Sequence, residues 1–292
     1  KHMAISSIAV LGGDLRQRYA AEYLCACGWQ VSCSNTLDVP CDSKVTLDGS
    51  LPHALAHADV ALLPTPLSKD GQYLFQANQA MPPCLLTELW GFLAPGQTLA
   101  VYSLPKSQAD ILKEKGCQVF QFGQLPIFSR ENSLLTAEGL LSELIRCTPF
   151  SLASARVLLL GYGCCGSAIG TLLHPLCRSI YLLEQDLDKQ AVAEKKGICP
   201  IQTEDFPTVL PHCNIIINTI PAAVMEPNQI RKLPGSCHIF DIASSPFGFP
   251  EDTAEKYALP YLRLPGLPGR FSPAASGKAI GKIIERITDY VL

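Results

Sequence analysis

A glycine-rich stretch carries the clearest chemical signal in the sequence. Gly161, Gly163 and Gly166 follow the short apolar run 157–160 and form the pattern G-x-G-x-x-G. In this pattern the first glycine permits a tight turn, the second lets a pyrophosphate approach the backbone, and the third lets helix and strand pack closely. The pyrophosphate rests on free N–H groups at the N-terminus of the following helix, where the helix dipole favours anions. Residues 161–166, called the glycine turn below, therefore predict a dinucleotide site.

An acidic residue stands where such a site needs one. Residues 167–174 predict a helix, 180–183 predict a second buried strand, and Glu184 ends that strand. A carboxylate at this position accepts hydrogen bonds from the hydroxyls of an adenosine ribose and repels a 2′-phosphate. The nearest cation downstream is Lys189, which follows two more acids. The pattern therefore favours NAD(H) over NADP(H).

Two later strands end in polar residues. Residues 214–218 and 237–241 predict buried strands, and polar side chains occur at and just beyond the end of each. Open α/β sheets bind ligands at the carboxyl ends of their strands, so we expect these residues near the nicotinamide and its ribose. The predicted cofactor-binding residues are Gly161, Gly163, Cys164, Cys165, Gly166, Glu184, Asn218, Thr219, Pro221 and Asp241.

The N-terminus repeats the strand, turn and helix arrangement, but with an acid in the turn. Residues 8–11 predict a buried strand and 18–27 a helix, with Gly12, Gly13 and Asp14 between them. Asp14 stands where a phosphate would rest, so this half is not predicted to bind the dinucleotide. Arg16 suits a carboxylate ligand because its planar fork binds bidentately. In the alternative interpretation Asp14 is a helix N-cap, and Arg16 and Gln17 lie on a solvated first turn.

The remaining elements alternate between strand and helix, which predicts parallel sheets covered on both faces. The fold class is therefore α/β, with two Rossmann-like doubly wound parallel-sheet domains flanking a cleft. We expect a first domain over 1–132, an interdomain helix and linker over 133–150, and the dinucleotide-binding domain over 151–292, with its C-terminal helix lying back on the first domain. Further strands are predicted over 29–33, 59–64, 98–103, 117–122 and 261–264, and further helices over 87–93, 107–115, 133–147, 188–196 and 273–292.

Composition excludes several classes of protein. The 292 residues are 48% hydrophobic and 17% charged, with a net charge of −3 and no run of Lys or Arg, so no nucleic-acid or membrane partner is predicted. The 13 cysteines show no CxxC and no metal-ligand spacing, which favours reduced thiols in a cytoplasmic protein and no metal. The start Lys1-His2-Met3 resembles an expression scar.

Several blocks together resemble a known family. They run nearly from end to end, and the INTIP and PGLPG elements among them are distinctive. The chain resembles the A-subunit family of dipicolinate synthase, an enzyme of bacterial sporulation. The blocks are 8–14 with Arg16 and Gln17, 136–139, 217–221, 241–244, and 265–269 with Pro273 and Gly277.

The resemblance implies an NAD(P)-dependent oxidoreductase on a branch of the lysine pathway. Its substrate would be the small cyclic dicarboxylate 4-hydroxy-tetrahydrodipicolinate, or the dehydrated form of that compound, and its product dipicolinate. The partner would be a flavoprotein, the B subunit of the synthase, in the cytoplasm of the mother cell, and we also expect a homo-oligomer. Glu138 and Asp14 are candidates for the catalytic base by position. The predicted substrate-binding residues are Arg16, Gln17, Ser244, Ser245, Gly266, Gly269 and Arg270.

Two alternatives stay open. In the first alternative the chain is a cofactor-binding, non-redox partner subunit. It positions the substrate or performs the dehydration, while the flavoprotein carries out the redox step. The absence of a histidine–acid dyad, which a 2-hydroxyacid dehydrogenase would have, favours this alternative. In the second alternative the chain is another two-domain dehydrogenase of imino or hydroxy acids, because function depends on the site and not on the scaffold.

Overall fold

Two parallel sheets organise the protein. The computed structural model describes residues 7–37 and 45–287, and it divides into two compact units, Lys1–Asn132 with Ser272–Leu292, and Ser133–Phe271. Each unit is built on a six-stranded sheet whose order, counted within the unit, is 3-2-1-4-5-6. All strand pairs in both sheets are parallel. The prediction of two Rossmann-like α/β sheets is therefore confirmed.

The first sheet is buried on both faces. Along its first strand Ala9 and Leu11 enter one apolar cluster, while Ile8 and Val10 enter the cluster on the opposite face. Side chains alternate between the faces of a strand, so a strand covered on both sides is a continuous apolar run. The elements of this unit are β1 (Ser7–Leu11), α1 (Leu15–Ala26), β2 (Gln30–Ser34), β3 (Thr46–Leu47), α2 (Leu51–Ala56), β4 (Val60–Leu62), α3 (Leu86–Phe92), β5 (Thr98–Val101), α4 (Lys106–Glu114) and β6 (Gln118–Gln121).

A long helix, α5 (Pro126–Cys147), leads into the second unit. The prediction of a helix beginning at residue 133 is wrong, because the helix starts seven residues earlier at Pro126. A proline fits the first position of a helix, where its missing N–H costs no bond. The polar residues at 129–133 concealed this first part of the helix from a search for apolar periodicity. Ala137, Leu140 and Leu144 of α5 enter the core of the second unit.

The second sheet repeats the pattern of the first. Val157 and Leu159 enter the cluster on one face, and Leu158 and Leu160 enter the cluster on the other. The elements are β7 (Arg156–Leu160), α6 (Cys164–Leu173), β8 (Ser179–Leu183), α7 (Leu187–Glu194), β9 (Cys199–Ile201), α8 (Phe206–Val209), β10 (Ile215–Asn218), α9 (Pro227–Ile230), β11 (His238–Asp241), α10 (Thr253–Tyr257), β12 (Tyr261–Arg263) and α11 (Leu267–Phe271).

The last helix, α12 (Pro273–Glu285), packs on α1 in the first unit. Its two glycines make this possible: a Cβ on Gly277 would stand 2.4 Å from the Arg16 carbonyl oxygen, and one on Gly281 would stand 2.6 Å from the Tyr23 ring. Ile280 and Ile284 of α12 enter the core around β1. The helix predicted over 273–292 ends at residue 285, and residues 288–292 lie outside the described residues.

The sequence missed two edge strands and misplaced the start of helix α6. The short edge strands β3 and β9 were not predicted, since two or three residues at the edge of a sheet leave no apolar run. The segment 59–64 is consequently the fourth strand of its sheet and not the third. Helix α6 begins at Cys164 and not at residue 167, because the last glycine of the turn lies inside its first helical turn. Within residues 7–37 and 45–287 no helix is both long and apolar enough to cross a membrane.

Candidate dinucleotide-binding site

The three glycines of the glycine turn differ in what surrounds them. Gly161 has φ of +90°, a conformation that favours glycine. A Cβ on Gly166 would stand 2.1 Å from the Gly161 carbonyl oxygen, so α6 packs against the turn too closely for any side chain. A Cβ on Gly163 would meet nothing within 4 Å, so the space in front of this residue is open to a ligand.

The N-terminus of α6 is available to an anion. Gly163 is its N-cap, and no side chain caps the helix. The N–H of Ser167 donates to the Gly163 carbonyl oxygen (2.9 Å), so the N–H groups that precede Ser167 in the first turn have no place in the helical ladder. Cys164 is exposed at this turn. Cys165 lies 3.5 Å from the Ser133 hydroxyl, and burial raises the pKa of its thiol.

A cleft of about 700 Å³ extends from the glycine turn along the carboxyl edge of the second sheet. Thr219 and Pro221 line it, as predicted cofactor residues. Gln185, Gln202 and Thr203 also line it and were not predicted. Gln202 and Thr203 directly follow strand β9, so recognising that strand would have placed them at the carboxyl edge of the sheet. The full lining is Gly161, Tyr162, Gly163, Leu183, Glu184, Gln185, Gln202, Thr203 and residues 219–224, and we call 219–224 the cleft wall.

Glu184 is fixed at the end of β8 by backbone donors. One carboxylate oxygen accepts the N–H of Tyr162 (2.8 Å), and the other accepts those of Gln185 (2.8 Å) and Asp186 (3.1 Å). Burial opposes ionisation of Glu184, but the N–H groups of Asp186, Tyr162 and Gln185 outweigh it and hold the pKa of this carboxyl below its usual range. The cleft therefore carries a fixed negative charge beside the glycine turn.

Asn218 and Asp241 were also predicted to bind the cofactor, but unlike Thr219 and Pro221 they do not line the cleft. Both side chains are fully buried, and the Asn218 amide donates to the Asp241 carboxylate (2.8 Å). The hydroxyl of Thr219 donates to the Leu160 carbonyl oxygen (2.9 Å), which ties the cleft wall to the end of β7.

The predicted substrate residues of the second unit lie in its loops. Ser244 and Ser245 are exposed in the loop after β11, and Gly266, with φ of +69°, precedes α11. Arg270 donates to the Glu143 carboxylate (2.8 Å), whose side chain is 1% exposed. Gly269 lies beside Arg270 in α11, and Glu138 is exposed on α5.

Burial opposes ionisation of Glu143, but its bonds to Arg146 and Cys147 and the charge of Arg270 together lower the pKa of this carboxyl. Arg270 is thus bound to a buried carboxylate of α5 in this structure.

The first turn of α1 combines a cap with an ion pair. The Asp14 carboxylate accepts the N–H of Arg16 (3.0 Å) and pairs with the Arg16 guanidinium through Nε (2.9 Å) and Nη2 (2.8 Å). Nη2 of Arg16 also donates to the Thr65 carbonyl oxygen. The N-cap interpretation of Asp14 is confirmed, but a solvated first turn is wrong, because Arg16 is 5% and Gln17 0% exposed. Gln17 donates to the Leu63 carbonyl oxygen (3.2 Å).

The glycines that follow β1 accommodate the chain itself. The N–H of Gly13 donates to the Phe75 carbonyl oxygen (2.6 Å), and that of Ala77 donates to the Gly13 carbonyl oxygen (2.8 Å). A Cβ on Gly12 would stand 2.5 Å from the same Phe75 oxygen. The 75–77 segment thus packs directly against the backbone of Gly12 and Gly13.

The described residues contain no group of three or more His, Cys, Asp or Glu side chains arranged to hold a metal ion. Their cysteines are all free thiols. Among the described residues, no histidine lines the cleft. In the first unit His53 lies 2.5 Å from the Asp48 carboxylate, a pairing that the sequence did not reveal.

Comparisons with known proteins agree with this architecture. Residues 7–122 match the family model described as the N-terminal domain of the dipicolinate synthase A subunit. This part of the chain is therefore similar to the N-terminal domain of the dipicolinate synthase A-subunit family. The resemblance predicted from the sequence is confirmed.

Relatives of the same description cover more of the chain. The dipicolinate synthase A subunit of Bacillus subtilis (strain 168) is 26% identical over 175 residues, which span 60% of this chain and 58% of that relative, less than two thirds of its length. The crystal structure of the dipicolinate synthase A subunit from Bacillus halodurans has a TM-score of 0.86 at 23% identity and covers 97% of both chains. A transhydrogenase from Sinorhizobium meliloti shares the fold at a TM-score of 0.65 and 12% identity, over 97% of this chain and 95% of its own.

Proposed function

We propose that this chain is the NAD(P)-dependent oxidoreductase subunit of a dipicolinate synthase. It converts the dehydrated form of 4-hydroxy-tetrahydrodipicolinate to dipicolinate in the cytoplasm of a sporulating mother cell, and its partner is the flavoprotein, the B subunit of the synthase. The observation that carries this proposal is the glycine turn: Gly166 leaves no room for a side chain, Gly163 faces open space, and the uncapped helix α6 begins between them. The family of the N-terminal domain supports the choice of substrate.

Each part of the cleft has a role in this reaction. The glycine turn and the first N–H groups of α6 bind the pyrophosphate. Glu184 receives the adenosine ribose, and its fixed charge disfavours a 2′-phosphate, which supports NAD over NADP. The cleft wall supports the nicotinamide half. When bound, the oxidised cofactor supplies a hydride acceptor.

The chemistry balances as a two-electron oxidation. The ring loses a hydride from one carbon and a proton to a base, and the product is aromatic. Aromatisation supplies the driving force, so the protein mainly has to orient the ring against the acceptor. Arg16 is proposed to bind a ring carboxylate; its bonds to Asp14 and Thr65 use Nε and Nη2, which leaves Nη1 for that purpose. Arg270 is proposed as a second carboxylate ligand.

One observation favours the second candidate, a non-redox partner subunit. Among the residues that line the cleft, the titratable ones are Tyr162 and Glu184. The Tyr162 hydroxyl is buried, and the Glu184 carboxylate already accepts three backbone N–H groups. A proton acceptor for the oxidation therefore has to come from outside this lining, from the substrate side or from the flavoprotein.

The two candidates are separated by assaying the purified chain with freshly made intermediate. Dipicolinate formation is followed by its ultraviolet absorbance with NAD⁺ or NADP⁺, with and without the flavoprotein. We expect turnover that needs the dinucleotide and does not need flavin. Turnover that appears only with the flavoprotein and is independent of added dinucleotide would establish the second candidate.

A further inference from the structure

A buried carboxylate organises the loop that follows β11. Asp241 is 0% exposed, and one of its oxygens accepts the N–H groups of Gly248 (3.0 Å) and Phe249 (3.1 Å). The other oxygen accepts the N–H of Ala243 (3.2 Å) and the amide of Asn218 (2.8 Å). Hydrogen bonds to a buried charge are strong, and their loss leaves unsatisfied groups. Asp241 therefore fixes both ends of residues 243–249, which we call the serine loop because it presents Ser244 and Ser245.

The same side chains reach the cleft wall. Asn218 donates to the Ile220 carbonyl oxygen (2.9 Å) and accepts the Ile220 N–H (3.2 Å) while it donates to Asp241. Ile220 lines the cleft, and its side chain stands 2.8 Å from the Cβ position of Gly161 in the glycine turn. A Cβ on Gly248 would stand 2.1 Å from the Asn218 amide nitrogen, so the serine loop packs directly on this residue. One buried pair thus contacts the wall on one side and the loop on the other.

The serine loop is also held from its outer side in an unfavourable conformation. Phe247 has φ of +68°, which is rare for a bulky residue and persists only where the surroundings enforce it. Arg263 lies over the Phe247 ring (4.1 Å) and donates to the Phe249 carbonyl oxygen (3.0 Å). Strained loops that are held at several points are typical of ligand-binding segments.

We propose that Asp241 and Asn218 are positioning residues that make the cleft wall and the serine loop one mechanical unit. Neither residue touches the dinucleotide; they transmit the position of the wall to Ser244 and Ser245. The inference rests on the proposed function in one respect: the cleft wall would bind the cofactor, and the serine loop would bind the substrate ring. Its consequence is that a dinucleotide bound against Ile220 orders a loop that it does not contact.

The ligand-free protein provides the first test, by amide hydrogen exchange. In Asp241→Asn one acceptor oxygen becomes an NH₂ group, which faces donors whichever way the amide turns. We expect exchange at Gly248, Phe249 and also Ile220 to become about tenfold faster or more. Asp252→Asn is the matched control, because Asp252 is exposed and makes no side-chain cap bond. Unchanged exchange at Ile220 in Asp241→Asn would overturn the link.

A second variant and a ligand titration complete the design. Arg263→Gln removes the contacts with the Phe247 ring and the Phe249 carbonyl oxygen but leaves the Asn218–Asp241 hydrogen bond in place. We therefore expect faster exchange at Gly248 and Phe249 and no change at Ile220. In the wild type, saturating NADH should slow exchange at Gly248 and Phe249 as well as at Ile220. Slower exchange at Ile220 alone would overturn the proposal even if Asp241→Asn did not fold. Absence of NADH binding by the wild type would refute the proposed function, while the ligand-free comparison would still decide the role of Asp241.

Discussion

Two alanine substitutions in the glycine turn separate its structural role from its binding role. Gly163 has φ of −70° in extended backbone and open space around its Cβ position. Gly163→Ala should therefore change the free energy of unfolding by no more than about 1 kcal/mol, since the weaker N-cap is offset by a less flexible unfolded chain. The added methyl group would stand where a pyrophosphate approaches the backbone, so we expect NADH affinity to fall about tenfold or more, the loss of one charged hydrogen bond.

Gly166→Ala, in contrast, should lower the stability of the protein. Its methyl group would stand 2.1 Å from the Gly161 carbonyl oxygen, a backbone atom that cannot turn away as a side chain can. Overpacking of this kind costs up to about 3 kcal/mol, and the higher helix propensity of alanine returns about 1 kcal/mol. The net loss of about 2 kcal/mol corresponds to a decrease in Tm of roughly 4–8 °C for a unit of this size.

The assay pairs thermal unfolding, followed by circular dichroism, with calorimetric titration of NADH. We expect Gly163→Ala to be stable and deficient in binding, and Gly166→Ala to be deficient in both. Wild-type affinity in Gly163→Ala would show that no pyrophosphate rests on the turn. Wild-type stability in Gly166→Ala would refute the close contact between α6 and the turn.

Further substitutions test other parts of the molecule. Since the pKa of Glu184 lies below its usual 4.5, its carboxylate stabilises the fold above that pH and loses this effect as the pH falls through the lowered pKa. The difference in unfolding free energy between wild type and Glu184→Gln, measured by urea unfolding, should therefore be larger at pH 7 than at acidic pH. The same variant should bind NADPH better relative to NADH, because a like charge is removed. Arg16→Gln should raise the dissociation constant of dipicolinate about tenfold or more and leave that of NADH unchanged in parallel titrations; equal dipicolinate affinity would remove Arg16 from the substrate site. Gly277→Ala should lower the free energy of unfolding by about 1–3 kcal/mol through its contact with the Arg16 carbonyl oxygen, whereas the exposed Gly235→Ala, with open space around its Cβ position, should not.

The parts of the site that were predictable from sequence depend on neighbouring residues in the chain. Gly161 and Gly166 are required by backbone conformation and close contact within one turn, and Gly163 by the open space in front of it. The spacing of the three glycines therefore identifies the turn. Glu184 follows the next strand, which pairs with β7 in a parallel βαβ unit. Local patterns of this kind retain their meaning wherever the unit stands in the fold.

The parts that could not be predicted depend on long-range packing. Asn218 and Asp241 are register partners on adjacent strands, but the sequence shows only that each strand ends in a polar residue. It does not show whether the two side chains face a ligand or each other. The ion pair between Glu143 and Arg270 joins residues 127 positions apart, and it depends on the packing of α11 on α5. Arg16 was predicted as an anion ligand from residue type alone, which does not reveal how Asp14 and Thr65 occupy its donors.

The return of α12 to the first unit has a consequence for synthesis on the ribosome. Ile8 and Val10, which are translated before the second unit, share a core with Ile280, Ile283 and Ile284, which are translated after it. All of the second unit is translated between these two groups. The first unit must therefore leave the exit tunnel with one side of its core uncovered, and it acquires its last layer only after its neighbour has been made. Nascent chains stalled before residue 273 should expose this apolar surface to chaperones, although their strands β1–β6 are complete.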